Sequence, residues 1–250
     1  MKSQVDLIHN LIDTEDRFII AVLDACRYDI FKNVCKIPGE LERVVSEGPC
    51  TREWIKGTWT KEYFDIAYVA GSPYTSKFHW KDRQNHFKYV DPVWDWGWKR
   101  CVDGIPTVPA DAILEGVKRA LQRGHKKIVA HSMQPHAPYI GEIPSGVRDF
   151  VNARKEAKPT QYEDVFDGPT NKHPTNGMDL VKAYTANLVY VINNGILPLL
   201  EYDMKIIVTS DHGETLGEEG KWGEHGAKLR HIPALKEVPW FTVQLNKNPQ

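Results

Sequence analysis

The sequence predicts an α/β fold with a largely parallel central sheet flanked by helices on both faces. Three observations carry this. Short apolar runs of strand length recur along the chain, bounded by charged or turn-forming residues. Segments with apolar residues at helical spacing lie between them, the alternation expected of a parallel sheet. The length, 250 residues, is enough to bury a sizeable core in one domain without disulfide or metal staples.

Each element follows from its own pattern. Residues 18–23, FIIAVL, are six apolar residues between charges with no helical period, which predicts a buried strand. Residues 64–70, FDIAYVA, predict a second. Residues 110–123 place Ile113, Leu114, Val117 and Leu121 on one helical face, with Gly124 as the stop. Residues 127–132, KIVAHS, predict a third strand. Residues 140–178 are polar and carry Pro144, Pro159, Pro169 and Pro174, the composition of a lid. Residues 179–194 repeat helical spacing through Leu180, Tyr184, Leu188 and Val191, ahead of Gly195. Residues 204–210, MKIIVTS, predict a fourth strand, and 238–244, VPWFTVQ, an edge strand. No composition break divides the chain, so residues 1–250 are expected to form a single domain with that lid.

Charge and cysteine usage narrow the class. Thirty-two Lys and Arg against 33 Asp and Glu give a net charge of -1, which disfavours a basic nucleic-acid coat or an acidic tail protein. Cys26, Cys35, Cys50 and Cys101 contain no CxxC pair and fit no zinc spacing. The first 18 residues hold acidic groups where a signal peptide needs an apolar stretch, and the early run Phe18–Leu23 is too short to span a bilayer. These features predict a cytoplasmic protein with reduced thiols and no membrane segment.

Chemistry concentrates at three strand ends. In L-D-A-C-R-Y-D (residues 23–29), Asp24 follows an apolar strand. In open α/β sheets that is where ligands bind; the alternative is a helix cap. In V-T-S-D-H-G-E (residues 208–214), Asp211 and His212 follow another strand, and a bent turn would let both reach one cation. Carboxylate plus imidazole suits zinc or manganese best. In A-H-S-M-Q-P-H-A-P-Y (residues 130–139), His131 ends a third strand, and prolines on both sides of His136 fix its backbone.

Together these segments resemble the alkaline phosphatase and sulfatase superfamily, in its order, over about residues 18–243. The resemblance implies an alkaline-phosphatase-like fold and a metal-dependent hydrolase or transferase of phosphate or sulfate esters. It places a nucleophile at a helix start after the first Asp, here in S-E-G-P-C-T-R-E-W (residues 46–54). Thr51 is the favoured nucleophile, forming a covalent intermediate. Cys50, converted to formylglycine in a sulfatase, is the alternative, although C-T-R-E-W lacks the processing signature. Asp24, Thr51, Asp211 and His212 are then expected to share one divalent metal. His131, His136 and His225 are expected to hold a second ion or, as the resemblance to single-metal relatives implies, to bind the reacting anion or protonate the leaving group, with His136 also a catalytic candidate. Zinc or manganese is favoured, with calcium or magnesium compatible. Arg27 and Arg52 are candidates for the anion's oxygens. Glu214 is expected to support the ligands, whereas Glu218, Glu219 and Glu224 read as a solvated acidic loop. The resemblance implies a small anionic ester as substrate, with a glycan or lipid head group among its compatible carriers; nucleic acid is disfavoured.

A rival from another class rests on residues 78–100, where Trp80, Trp94, Trp96 and Trp98 interleave with Lys77, Lys81, Arg83, Lys88, Lys99 and Arg100. Such a stretch suits stacking on nucleobases or sugars in a binding module, or packing as satellite core.

Overall fold

The computed structural model of the chain describes residues 1–75, 86–102, 104–140, 177–224 and 227–244. Strand β1 (Lys2–Ser3) leads into helix α1 (Gln4–Thr14), strand β2 (Phe18–Asp24), helix α2 (Tyr28–Val34), strand β3 (Gly39–Val45), helix α3 (Thr51–Thr58) and strand β4 (Tyr63–Ala70). Strand β5 (Phe87–Asp91), helices α4 (Val93–Trp96) and α5 (Ala110–Gln122), strand β6 (Lys127–Pro135) and helix α6 (Gly177–Val191) follow. The chain continues through β7 (Lys205–Ser210), the short pair β8 (Thr215–Leu216) and β9 (Trp222–Gly223), and β10 (Glu237–Val243).

Eight strands form one mixed sheet in the order β1-β3-β10-β7-β2-β6-β4-β5. Strand β2 is central and pairs in parallel with β7 and β6, and β4 pairs in parallel with β6 and β5. All seven residues of β2 are buried, as expected for a strand covered on both faces. Its side chains alternate: Ile19, Ala21 and Leu23 join one core, whereas Phe18, Ile20 and Val22 join the other. The first core is covered by α2, α5 and α6 through Phe31, Ile113, Val117 and Leu188. The second is covered by α1 and α3 through Ile8, Leu11, Trp54 and Ile55. Each fully buried side chain of this size contributes roughly 1.5–3 kcal/mol, which fixes the layers before any polar contact is counted.

The segment expected as an edge strand is interior. β10 lies between β3 and β7 and is antiparallel to both. Its residues are apolar toward both layers: Phe241 meets Phe31 at 5.6 Å between ring centroids, while Val238 and Trp240 enter the opposite core. Two longer strands, β3 and β5, were not expected. β3 reads GELERVV with four of its seven residues exposed, so no apolar pattern announces it. The lid expected over 140–178 falls almost wholly outside the described residues.

The topology sets the site. β2, β6 and β7 are adjacent and parallel, so Asp24, the P-H-A-P segment after Gln134, and Asp211–His212 emerge side by side at their carboxyl ends.

Candidate active site

The turn after β2 is fastened to the turn after β7. Ala25 sits in the left-handed region at φ 61°, a conformation costing a non-glycine residue on the order of 1–3 kcal/mol. Its N–H donates to Asp211 Oδ1 (3.0 Å), and the N–H of Cys26 donates to Ser210 Oγ (2.7 Å). The loop before α3 joins the same turn, since the Ser46 hydroxyl donates to the carbonyl of Asp211. Gln4 adds a fourth tie: its Nε2 amide donates to Ser210 O, while its Oε1 accepts from the Trp54 indole.

These ties put five side chains around one point. His212 Nδ1 lies 2.6 Å from Gly213 O. A carbonyl only accepts, so Nδ1 carries a hydrogen, which leaves Nε2 as the nitrogen that faces the cluster. Around Nε2 lie Glu224 Oε2 at 3.1 Å, Thr51 Oγ1 at 3.2 Å, Asp211 Oδ2 at 3.5 Å and Asp24 Oδ1 at 3.6 Å. Asp24, Thr51, Asp211 and His212 are all at most 3% exposed. Thr51 is the first residue of α3 and Cys50 its cap. The structure therefore brings together Asp24, Thr51, Asp211 and His212, and adds Glu224.

Burial pushes Asp24 well above the usual carboxylate range, and the Asp211 charge adds to it. Burial also opposes ionisation of Asp211, but His212, His131 and Thr51 outweigh it and hold that carboxyl low. His212 is disfavoured as a cation by burial, yet Asp211, Glu224 and Asp24 raise it well above the ordinary imidazole range. Too much negative charge is thus gathered for the protein's own counter-charges.

A divalent cation fits this arrangement. Asp24 Oδ1 and Asp211 Oδ2 are buried without a hydrogen-bond partner, an arrangement proteins rarely leave uncompensated. The ligand atoms of Asp24, Asp211 and His212 lie within 4.8 Å of one another, and a second group of Asp24, His136 and Glu224 meets the same limit. His136 Nδ1 donates to Ala137 O (2.7 Å), so Nε2 is the nitrogen left for a cation there too. The P-H-A-P segment is clamped by Asn187 of α6, whose Nδ2 reaches Pro135 O, His136 O and Pro138 O at 3.1–3.2 Å. Asn187 Oδ1 accepts from Ile140 N–H (2.9 Å).

Several expected residues stand elsewhere. His131 belongs to neither group; its Nδ1 meets the Tyr68 hydroxyl at 2.8 Å and its Nε2 faces Asp211 Oδ2 at 3.6 Å. Arg27 is taken up by Asp29 (2.7 and 2.9 Å) and Glu218 (2.6 Å), so its fork is not left for an anion. Arg52 is exposed on α3, and no contact joins it to the cluster. His225 lies outside the described residues. Glu224 is the residue that sequence reasoning missed. The β8–β9 pair folds the chain back and delivers it, with 19% of its side chain exposed, to His212. Glu214 is buried beside this turn, whereas Glu219 is exposed. Burial pushes the Cys50 thiol up, which disfavours it as a thiolate.

The aromatic segment packs rather than stacks outward. Trp98 is 7% exposed and Trp94 lies against both cores. The Trp96 indole donates to buried Asp91 (2.9 Å), under the guanidinium groups of Arg119 and Arg100 at 4.1 and 4.7 Å from its centroid. Trp80, Lys77, Lys81 and Arg83 lie outside the described residues. Within those described, the binding-module reading finds no outward-facing platform.

No protein-family model matches the chain, and no curated protein matches it by sequence. Solved structures do match. The soluble domain of lipooligosaccharide phosphoethanolamine transferase A from Neisseria meningitidis superposes with a TM-score of 0.57 at 17% identity, covering 90% of this chain and 75% of that one. A protein in the alkaline phosphatase superfamily from Vibrio parahaemolyticus gives 0.51 at 11% identity, covering 92% and 60%. The chain has the alkaline-phosphatase-like fold. The C-terminal periplasmic domain of EptC from Escherichia coli, solved in complex with Zn, gives 0.54 at 13% identity, covering 94% and 74%. The alkaline-phosphatase-like fold thus occurs here among phosphoethanolamine transferases, one of them solved with zinc. The cytoplasmic expectation is overturned by these neighbours, which include a periplasmic domain. Among the described residues no helix is long and apolar enough to cross a membrane.

Proposed function

We propose that the chain is a metal-dependent enzyme that transfers or hydrolyses a phosphate or sulfate ester, with Thr51 as nucleophile. One observation carries this reading: a buried threonine hydroxyl at the head of a helix lies 3.2 Å from His212 Nε2, beside two carboxylates with unpartnered oxygens. Asp24, Asp211, His212 and Thr51 would hold a cation, and Asp24, His136 and Glu224 a second. Such a cation supplies Lewis-acid stabilisation of an alkoxide and of the ester's oxygens. The mixed carboxylate and imidazole donors favour zinc or manganese.

The chain's own residues supply the rest. The α3 amides point their partial positive charge at the place where the anion sits. Thr51 gives up its hydroxyl proton to solvent as Oγ1 bonds to phosphorus or sulfur, and the bond to the ester oxygen breaks, that oxygen leaving with a proton from solvent. Water, or an acceptor hydroxyl, then attacks the same centre and frees Thr51. Asn187 and Ala137 hold His136 at the edge of the site, and Ser46 and Gln4 hold α3 against the Asp211 turn. This reading treats residues 1–250 as one catalytic domain. By analogy with the phosphoethanolamine transferases, the ester is a head group borne on a lipid or glycan, handled outside the cytoplasm.

The test combines metal analysis with turnover of aryl phosphates, aryl sulfates and phosphatidylethanolamine. Thr51→Ala is expected to abolish turnover, and Cys50→Ser to change it less than about threefold. Mass spectrometry after trapping should find the group on Thr51. Full activity in Thr51→Ala, or an aldehyde at Cys50, would overturn the assignment.

A further inference from the structure

Three histidines stand on or just after β6 and β7, His131 within β6 and His136 and His212 beyond the strand ends, and their hydrogen bonds sort them into two kinds. His136 and His212 each place Nδ1 against a backbone carbonyl, Ala137 O at 2.7 Å and Gly213 O at 2.6 Å. A carbonyl has no hydrogen to give, so Nδ1–H faces it in both rings, which leaves Nε2 as the nitrogen a metal would take. His131 differs, because its Nδ1 meets the hydroxyl of Tyr68 at 2.8 Å.

The Tyr68 hydroxyl settles the tautomer. It is fully buried, and burial pushes its ionisation well above the ordinary phenol range, so it keeps its hydrogen. Among the described residues the hydroxyl has no hydrogen-bond partner other than His131 Nδ1, so its hydrogen goes there. With Tyr68 donating to Nδ1, that nitrogen carries the lone pair and Nε2 carries the hydrogen. The opposite tautomer would strand the phenol hydrogen and aim a lone pair at a carboxylate. His131 Nε2 and Asp211 Oδ2 are each buried without a hydrogen-bond partner, and they face one another at 3.6 Å. That gap is long for a hydrogen bond, but an N–H aimed at a carboxylate still attracts it, and a small shift closes the distance. The ring is also walled in: Trp54 packs edge-on at 5.6 Å between centroids and Tyr68 at 6.1 Å. Turning it over would set C–H groups against both polar partners.

We infer that His131 is a positioning residue: its Nε2–H, fixed by Tyr68, donates toward Asp211 Oδ2 and aims that carboxylate at the cation, and His131 does not itself ligate the cation. Its exclusion from both candidate ligand groups points the same way. The claim about the metal rests on the proposed function; the tautomer does not. The result is a chain of three side chains: Tyr68 on β4, His131 on the neighbouring β6, and Asp211 after β7, which β2 separates from β6. The carboxylate–histidine pairing common around metals is inverted, because here the histidine supports a carboxylate ligand.

Two-bond 1H–15N correlation spectra of the 15N-histidine-labelled protein test this, recorded metal-free and after one equivalent of Zn(II). His131 should show protonated Nε2 and unprotonated Nδ1 in both spectra, while His212 shows protonated Nδ1 and a zinc-shifted Nε2. Zinc affinity by competition titration gives the second readout. Tyr68→Phe and His131→Leu should each weaken it by roughly tenfold or more, the usual effect of losing an outer hydrogen bond. His131→Gln, which keeps an N–H near Nε2, should stay within about threefold of the unsubstituted protein. An Nδ1–H tautomer at His131 overturns the inference, as does a zinc shift at its Nε2 or a Gln variant as weak as Leu. A protein that binds no zinc would sink the metal reading, yet the metal-free spectrum would still decide the tautomer. If the variants do not fold, the unsubstituted spectra decide it alone.

Discussion

Replacing Asn187 by alanine should cost more stability than any other single polar truncation in α6. The side chain is fully buried and serves four backbone groups. Its Nδ2 has two hydrogens for three carbonyls, so at most two strong bonds run that way, and Oδ1 accepts one more from Ile140. Three effective bonds at a net ~1 kcal/mol each give about 3 kcal/mol. Leaving the Ile140 N–H buried and unpartnered adds on the order of 1 kcal/mol more. The expected loss is therefore about 3–5 kcal/mol, or at least a hundredfold in the folding equilibrium. Urea unfolding followed by circular dichroism measures it; with a slope of about 3 kcal/mol/M the midpoint should fall by at least about 1 M. Asn187→Asp should be nearly as damaging, because the carbonyls of Pro135, His136 and Pro138 would face a carboxylate in place of an N–H donor. A loss below about 1 kcal/mol at unchanged slope would refute the satisfaction argument, and with it the claim that α6 holds the His136 segment in place.

Asp211→Asn removes a ligand charge without changing size, so turnover should fall by at least ~10² while far-ultraviolet circular dichroism is unchanged; activity retained after thorough removal of adventitious metal would count against the site. Gly213→Ala should destabilise the protein strongly, since the added Cβ would fall 1.9 Å from Ala234 O in the turn that carries Asp211 and His212; a thermal midpoint unchanged within about 1 °C would show the turn has room, given that 1 kcal/mol moves a chain of this size by about 2–4 °C. Burial would raise Glu218, but backbone hydrogen bonds and Arg27 prevail and hold it below its ordinary 4.5. A lowered folded-state value means stability present above that pH and lost as pH falls below it. Glu218→Gln should therefore flatten the acid limb of the stability–pH profile below about pH 4.5, and an identical limb in both proteins would rule the ion pair out as a contributor.

What the sequence showed of the fold depended on where an element draws its stability. β2 and β7 announce themselves because both faces of each are covered: FIIAVL is a continuous apolar run, and KIIVTS carries one at Ile206–Val208. β3 is silent because GELERVV is held by backbone pairing to β10 and β1, while most of its side chains meet water. The position of β10 was not local information at all: its apolar residues look the same at an edge or inside, and β3, nearly 200 residues earlier in the chain, covers its far side. The candidate site divides in the same way. Asp24, Asp211 and His212 stand directly after apolar runs, where side-chain type and strand end coincide. Glu224 has no such marker and is delivered by a two-residue ladder. Arg27 looked like an anion ligand because Asp29 is close in sequence without visibly facing it, and Glu218, its other partner, comes from 191 residues away.

The position of β2 also makes the cluster mechanically uneven. Asp24 ends a strand hydrogen-bonded on both sides through long parallel registers, so its amides should exchange with solvent only as the whole sheet opens. Glu224 hangs beyond a ladder of two residue pairs, Thr215 with Gly223 and Leu216 with Trp222, which can part at a small fraction of that free energy. One wall of the cluster belongs to the slowest-exchanging unit of the chain and the opposite wall to one of the fastest. Glu224 is then the side chain expected to leave first, with Asp24, Asp211 and His212 still in register, and hydrogen exchange of the β8–β9 hairpin ahead of β2 is the measurement that shows it.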